Sequence, residues 1–254
     1  ALRDRDAEAL REATQKFQEE IDRRKFLQFL FFRQWAYLKG YCNERSLQII
    51  GDVAIYLGHD SADVWANRPV FQLNKDGRSR VVAGYPPDFI NRDGQLWGNP
   101  IYDWAHLKDT RYAWWMKRIR HNLTLFDVLR IDHFRGFFGY WEIPATAKTA
   151  RQGRWVAGPG HHFFDELHRH FSSPALILEA LGDMTSEIRE MMGLYSFPAM
   201  NVLMFAFDAD YGVSPYYPHG YAHNSVTYIG THDTNTIHGW YEKEATAEQK
   251  ERLW

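Results

Sequence analysis

Three acidic side chains, Asp132, Glu179 and Asp233, each lie within or just after an apolar run of the sequence. If these runs are strands of a parallel α/β fold, their carboxyl ends meet at one edge, where such folds build active sites. One carboxylate there can attack as a nucleophile while a second carries a proton for the leaving group. Retaining cleavage of a glycosidic bond uses such a pair, about 5 to 5.5 Å apart. The structural alternative for any single acid is that it caps the following helix.

Two further charged residues accompany these acids. Arg130 precedes Asp132 by two positions, so the alternation of a strand places both side chains on one face. A guanidinium there would keep Asp132 ionised and oriented. Asp52 follows the apolar start of an earlier run and is a fourth candidate for the same edge.

The elements that must position these residues follow from hydrophobic periodicity. Strands are predicted at 48–56, 127–132, 175–179, 201–207 and 225–230, and helices at 5–47, 112–126, 164–171 and 185–192, the last with Thr185 as N-cap. Alternation of strands with helical or loop segments favours an α/β fold with a parallel sheet. A closed (β/α)8 barrel of the TIM type needs eight strands, so five imply an open sheet or part of a larger barrel.

Residues 67–104 are rich in Gly and Pro and lack periodicity, which predicts one long loop. A connection of this length inside a compact domain is usually functional or disordered, and its aromatic residues favour function. We therefore expect a single catalytic domain over residues 1–254, with a helical entry at 1–47 and a long active-site loop at 67–104.

Composition limits the partners of the chain. With 30 basic and 32 acidic residues the formal charge is −2, which favours neither nucleic acid nor a membrane as partner. Aromatic residues make up 16% of the chain, and their flat faces suit sugar rings as well as a core. The single cysteine and the charged N-terminal residues predict a cytoplasmic protein. No metal or nucleotide motif is recognisable, so no cofactor is expected.

Several long motifs resemble amylomaltases and plant disproportionating enzymes, glycoside hydrolase family 77. They are Gly51-Asp52, Asp60-Ser61-Ala62-Asp63-Val64-Trp65-Ala66, Pro86-Pro87-Asp88, Gly94-Gln95-Leu96-Trp97-Gly98-Asn99-Pro100, Arg130-Ile131-Asp132-His133-Phe134-Arg135-Gly136-Phe137, Tyr140-Trp141-Glu142-Ile143-Pro144 and Gly230-Thr231-His232-Asp233. They occur in the order that the family has and cover nearly all of the chain from about Phe26 onward. The resemblance implies a (β/α)8 barrel, of which this chain would cover the central part, about strands 3 to 7.

The resemblance also implies an activity. A 4-alpha-glucanotransferase would pass a segment of an α-1,4-glucan, derived from maltodextrin, starch or glycogen, to the 4-OH of an acceptor glucose or glucan. Asp132 would be the nucleophile, Glu179 the acid/base and Asp233 the residue that stabilises the transition state. The substrate-binding residues would be Arg130, His133, His232, Trp97, Asp88 and Asp52. The Asp88 to Trp97 loop resembles the family's mobile lid, with Trp97 stacking on a bound glucose.

The chain departs from the family pattern at Ala180, where family members usually have Asp directly after the acid/base residue. Two alternatives stay open at this point. One is an α-glucan hydrolase of the same clan, and the other is a non-catalytic glucan-binding fragment. The preferred glucan length and the oligomeric state do not follow from the sequence.

Overall fold

The computed structural model describes residues 1–88, 91–181, 185–207 and 216–253. The chain forms two compact units, one of residues 1–130 with 135–175 and the other of residues 131–134 with 176–254. Compact units can belong to one folding domain, so the single-domain interpretation stays a prediction.

Helices and strands are interspersed along the described part of the chain. The helices are α1 (Ala7–Lys16), α2 (Gln18–Asn43), α3 (Ala62–Ala66), α4 (Trp104–Asp109), α5 (Ala113–Leu125), α6 (His161–His170), α7 (Ser186–Leu194), α8 (Ile237–Lys243) and α9 (Ala247–Glu251). The strands are β1 (Ile50–Val53), β2 (Val81–Tyr85), β3 (Gln95–Pro100), β4 (Val128–Ile131), β5 (Gly139–Pro144), β6 (Arg154–Ala157), β7 (Leu176–Leu178), β8 (Ala199–Val202) and β9 (Ser225–Tyr228).

The first unit begins with the helices that the sequence predicts for residues 5–47. Asp6 caps α1 by accepting a hydrogen bond from the backbone N–H of Ala9. On α2, the indole of Trp35 donates to the carbonyl of Leu125, 2.8 Å away, which ties this helix to the end of α5. Strand β1 lies beside β4, whose entry is fixed by the hydrogen bond from Asp127 N–H to Ile49 O.

A second, antiparallel sheet with the strand order β3-β2-β5-β6 also belongs to the first unit. Gly84 pairs with Leu96 on one side and with Trp141 on the other, and Trp141 pairs in turn with Trp155. The prediction that residues 67–104 form one loop is therefore wrong, since they contain β2 and β3. Strand β2 pairs with β3 and also with β5, more than 50 residues later, and local composition does not reveal these pairings.

Aromatic side chains form a large part of the core of the first unit. Phe137 and Phe163 are fully buried with ring centroids 4.5 Å apart, and Trp115 lies 5.2 Å from Phe137. Tyr102 is also fully buried and donates a hydrogen bond from its hydroxyl to the carbonyl of Ile55. Much of the aromatic surplus of the sequence is thus packing.

The second unit contains β7, β8 and β9 side by side, and both pairings are parallel. Ile131, the last residue of β4, accepts a hydrogen bond from the backbone N–H of Glu179, which directly follows β7. Helix α7 connects β7 to β8, and Thr185 caps it as predicted by accepting from Ile188 N–H. The chain is therefore an α/β protein with parallel strands, as predicted.

One strand prediction in this unit is wrong in its extent. The apolar run 201–207 was predicted as a strand, but the strand ends at Val202 and residues Leu203–Phe207 form a 3-10 helix. Met204 and Ala206 are buried there. A short, continuously apolar run is compatible with either a buried strand or a buried helical turn, so periodicity cannot separate the two.

Candidate active site

Three carboxylates predicted to act together are close neighbours in the second unit. Single oxygens of Asp132, Glu179 and Asp233 all lie within 4.8 Å of one another. Asp132 directly follows β4, Glu179 directly follows β7, and Asp233 lies in the turn between β9 and α8. The structure thus brings the three side chains together, as expected for acids at the carboxyl ends of parallel strands. Their catalytic roles stay predictions.

Glu179 is held by the turn that follows β4. Its Oε2 accepts a hydrogen bond from the backbone N–H of His133 at 2.5 Å, and its own N–H donates to Ile131 O at 3.0 Å. His133 has φ of 45°, in the left-handed region that residues other than glycine rarely adopt. This unusual backbone conformation accompanies the N–H bond to the carboxylate.

Asp233 lies in a turn built by two threonines. Thr231 N–H donates to Thr234 Oγ1 at 2.9 Å, and Asp233 N–H donates to Thr231 Oγ1 at 3.2 Å. His232 Nε2 lies 3.4 Å from Asp233 Oδ2, and both side chains are exposed. The carboxylate of Asp233 is therefore accessible to hydroxyl groups of a ligand.

Arg130 and Asp52 form an ion pair in the first unit. Arg130 Nη1 lies 2.5 Å from Asp52 Oδ2, with the arginine side chain buried and the aspartate partly exposed. The sequence predicted Asp52 as a substrate-binding residue and Arg130 as a support for Asp132. It did not predict that the two residues are partners, because they are 78 positions apart. Their predicted roles toward a substrate stay predictions.

The loop predicted to cover the site also belongs to the first unit, and Phe89 and Ile90 within it lie outside the described residues. Asp88 Oδ1 accepts a hydrogen bond from Asn91 N–H at 2.6 Å. The indole of Trp97, on β3, donates to Gln95 Oε1 at 3.0 Å, and its ring lies 6.1 Å from that of Tyr56. Trp97 is partly exposed, which leaves its ring accessible for stacking.

Carboxyl groups this close can flank a single glycosidic bond, one as the nucleophile and another as the acid. Oxygens at these separations can also surround a cation. The expectation of no metal therefore stays a prediction from the sequence.

In the described residues, no helix is long and apolar enough to cross a membrane.

Comparisons with known proteins agree with the motif resemblance. The family described as 4-alpha-glucanotransferase, glycoside hydrolase family 77, matches residues 1–254. A 4-alpha-glucanotransferase of Clostridium butyricum is 44% identical over 238 residues, which are 93% of this chain and 49% of the relative. One of Thermus thermophilus is 45% identical over 251 residues, 98% of this chain and 50% of the relative.

Among solved structures, an amylomaltase from Streptococcus agalactiae in complex with acarbose superimposes with a TM-score of 0.94 at 40% identity. The match covers 98% of this chain and 50% of that one. This chain spans about half the length of the curated relatives that it matches. Because the family match extends over every residue, the resemblance is confirmed, and the chain belongs to the 4-alpha-glucanotransferase family, glycoside hydrolase family 77.

Proposed function

We propose that the protein is a 4-alpha-glucanotransferase that moves a segment of an α-1,4-glucan to the 4-OH of glucose or of another glucan. The observation that carries the proposal is the cluster of Asp132, Glu179 and Asp233, whose oxygens lie within 4.8 Å. An inverting mechanism needs about 6.5 to 9.5 Å between its two carboxyl groups, so the cluster supports a retaining double displacement. The names of the relatives from Clostridium butyricum and Thermus thermophilus support the same activity.

In the first step, a carboxylate oxygen of Asp132 attacks the anomeric carbon at the cleavage point. The bond from that carbon to the glycosidic oxygen breaks, and Glu179 gives its proton to the departing oxygen. The products are a shortened glucan and a glucosyl ester of Asp132. Asp233 binds hydroxyls of the reacting sugar and stabilises the positive charge that develops on its ring.

In the second step, the 4-OH of an acceptor approaches the ester. Glu179, now ionised, takes the hydroxyl proton while the new bond to the anomeric carbon forms and the carboxylate of Asp132 leaves. Both partners are neutral sugars, the donor being a maltodextrin or a segment of starch or glycogen. The amylomaltase from Streptococcus agalactiae binds acarbose, which supports a glucan-shaped ligand.

Transfer requires that an acceptor reaches the ester before water does. We assign this task to the loop from Asp88 to Trp97, acting as a lid, with Trp97 stacking on a glucose unit. His133 and His232 would bind sugar hydroxyls, and Arg130 and Asp52 would also bind the substrate. The fold that we propose for the whole enzyme is a (β/α)8 barrel with this chain supplying about strands 3 to 7, and the proposed compartment is the cytoplasm.

Incubation of the protein with maltotriose tests this proposal. Transfer gives glucose together with maltotetraose and longer oligomers, whereas a hydrolase of the same clan gives only shorter products. Substitution Asp132→Asn should lower kcat by about a thousandfold or more, because the nucleophile is removed. Asp76→Asn is the matched control, since Asp76 is an exposed carboxylate outside the cluster and should leave kcat unchanged.

Two outcomes would contradict the proposal. Products that are all shorter than maltotriose would favour the hydrolase. A wild-type protein that binds maltodextrin without turnover, and an Asp132→Asn variant that binds equally well, would favour the glucan-binding alternative.

A further inference from the structure

A cavity of about 480 Å³ lies beside α3 in the first unit, and its lining includes none of the residues proposed for catalysis or substrate binding. It is formed by His59, Asp60, Val64, Trp65, Arg68 and Leu73, among others. Its volume is within the range of small-molecule sites, about 300 to 1,000 Å³. Four of these residues come from the motif around Asp60 to Ala66 or stand next to it, and the proposed reaction gives that motif no task.

Trp65 is the aromatic wall of the cavity and is fixed in orientation. Its indole N–H donates to the carbonyl of Leu2 at 2.9 Å, and the guanidinium of Arg5 lies 4.5 Å from the ring centroid. The side chain nevertheless stays 39% exposed. An indole held in this way loses little conformational freedom when a ligand stacks on its open face.

The polar rim is also held in place by bonds within the protein. Arg68 Nη1 lies 3.2 Å from Asp4 Oδ1, and His59 Nε2 lies 2.9 Å from the carbonyl of Gly77. Asp60 is fully exposed at the mouth, and its Oδ1 lies 3.3 Å from His59 Nδ1, so both ring nitrogens of His59 have partners within the protein. The rim therefore offers N–H donors and a carboxylate acceptor above apolar walls from Val64 and Leu73.

This mixture favours a neutral, hydroxyl-rich ligand over an anion. The two arginines of the lining, Arg3 and Arg68, both pair with Asp4, at 3.1 and 3.2 Å. A phosphate or carboxylate ligand would have to compete with Asp4 for them. A pyranose ring instead has an apolar C–H face that stacks on an indole and a hydroxyl edge that bonds to charged side chains without displacing their partners.

We propose that this cavity is a second binding site for α-glucan chains, in which Trp65 stacks on a glucose unit while Arg68 and Asp60 bond its hydroxyls. The inference rests on the proposed function, because that function supplies a long substrate with many identical units. A chain held at a second site raises the effective concentration of its other units. A trisaccharide bound at the second site has no further glucose units for the active site, so its reaction should not benefit from that site.

Steady-state kinetics with amylose and with maltotriose test the inference on the full chain. Trp65→Ala should raise the KM for amylose about three- to tenfold, which is the loss of affinity expected when one aromatic stacking contact is removed. Its kcat, and both parameters for maltotriose, should stay at the wild-type values. Trp155→Ala is the matched control, because Trp155 is 42% exposed and has a guanidinium 4.0 Å from its ring centroid, but does not line the cavity.

The inference is overturned if Trp65→Ala raises the KM for amylose no more than Trp155→Ala does, or raises the KM for both substrates alike. Should Trp65→Ala fail to fold, Asp60→Ala decides, since an exposed side chain can be shortened without disturbing the fold; it should raise the KM for amylose about twofold. Retardation of the same variants in an amylose gel measures binding without turnover, so it tests the second site even in an inactive protein. Failure to convert maltotriose would refute the proposed function but not the second site.

Discussion

Glu179 illustrates how a single contact can define the task of a carboxyl group. Its Oε2 accepts the backbone N–H of His133, so a proton carried by this side chain in its neutral form belongs on Oε1. Under the proposed mechanism, Oε1 is then the atom that delivers the proton to the departing sugar. The left-handed backbone at His133 therefore orients the carboxyl group of Glu179 through its N–H, independently of the His133 imidazole.

At this scale the sequence predicted the acids better than their surroundings. Asp132, Glu179 and Asp233 could be selected because each is a charged residue in or just after an apolar run, which has few structural explanations. The partnership of Arg130 with Asp52 could not be predicted, because an ion pair across 78 residues depends on tertiary structure. The N–H of His133 was missed as well, because a left-handed backbone at a residue other than glycine is uncommon and nothing in the neighbouring sequence indicates it.

Asp127 is a structural carboxylate whose contribution to stability should depend on pH. Its Oδ2 accepts from Ile49 N–H at 2.8 Å and from Asn43 at 3.0 Å, and Lys39 Nζ lies 3.4 Å from Oδ1. Burial raises the pKa of this carboxyl, but the hydrogen bonds and the lysine lower it by more, so its pKa lies below the usual 3.8. The ionised form is therefore the one that stabilises the fold.

Substitution Asp127→Asn should lower the free energy of unfolding by about 1 to 3 kcal/mol at neutral pH, because charge-assisted hydrogen bonds are lost. A depressed folded-state pKa gives stability that is present above 3.8 and disappears as the pH falls through the folded value. Urea unfolding at several pH values should therefore show the variant and the wild type converging below pH 3.8. A constant difference down to the lowest pH would contradict the ionic explanation.

At the scale of elements, those whose sequence pattern lies entirely within their own residues were predicted well. Helix α5 and strand β9 each have a pattern complete within their own residues, and both were predicted close to their observed bounds. Strands β2 and β3 were missed because Gly84, Gly94 and Pro100 read locally as turn residues. Pairing of β2 with both β3 and β5 overrides those signals, and a single sequence does not show which segments pair.

Strand β1 makes a close approach that only glycine permits. A Cβ at Gly51 would overlap the ring of Phe126, whose position is supported by an edge contact with Trp35 at 5.6 Å. Gly51→Ala should therefore destabilise the protein by about 1 to 3 kcal/mol through overpacking. Gly40→Ala in α2 meets no atom within 4 Å and should stabilise by about 0.5 to 1 kcal/mol. Equal urea midpoints for the two variants would rule out the close contact.

At the scale of the whole molecule, the most unusual surface is that of α2. Large apolar side chains are exposed along this helix, namely Phe26, Leu27, Phe29, Phe31, Phe32, Tyr37, Leu38 and Tyr41. Spacings of three and four residues in the sequence predict one apolar stripe of Leu27, Phe31, Trp35 and Leu38, whereas the exposed apolar residues occur on several faces of the helix. Contiguous apolar surface of this kind is rare on monomeric proteins and binds apolar molecules.

The exposure of α2 predicts binding of the dye 8-anilinonaphthalene-1-sulfonate by the folded chain. Phe26 and Phe29 have ring centroids 6.5 Å apart and are both more than half exposed. The double substitution Phe26→Ser, Phe29→Ser should therefore lower dye fluorescence and leave the unfolding midpoint nearly unchanged. Leu194→Ser on α7 removes a comparably exposed apolar side chain from another helix and should have a smaller effect. If the wild-type chain does not bind the dye at all, the α2 surface is covered in solution and this expectation is wrong.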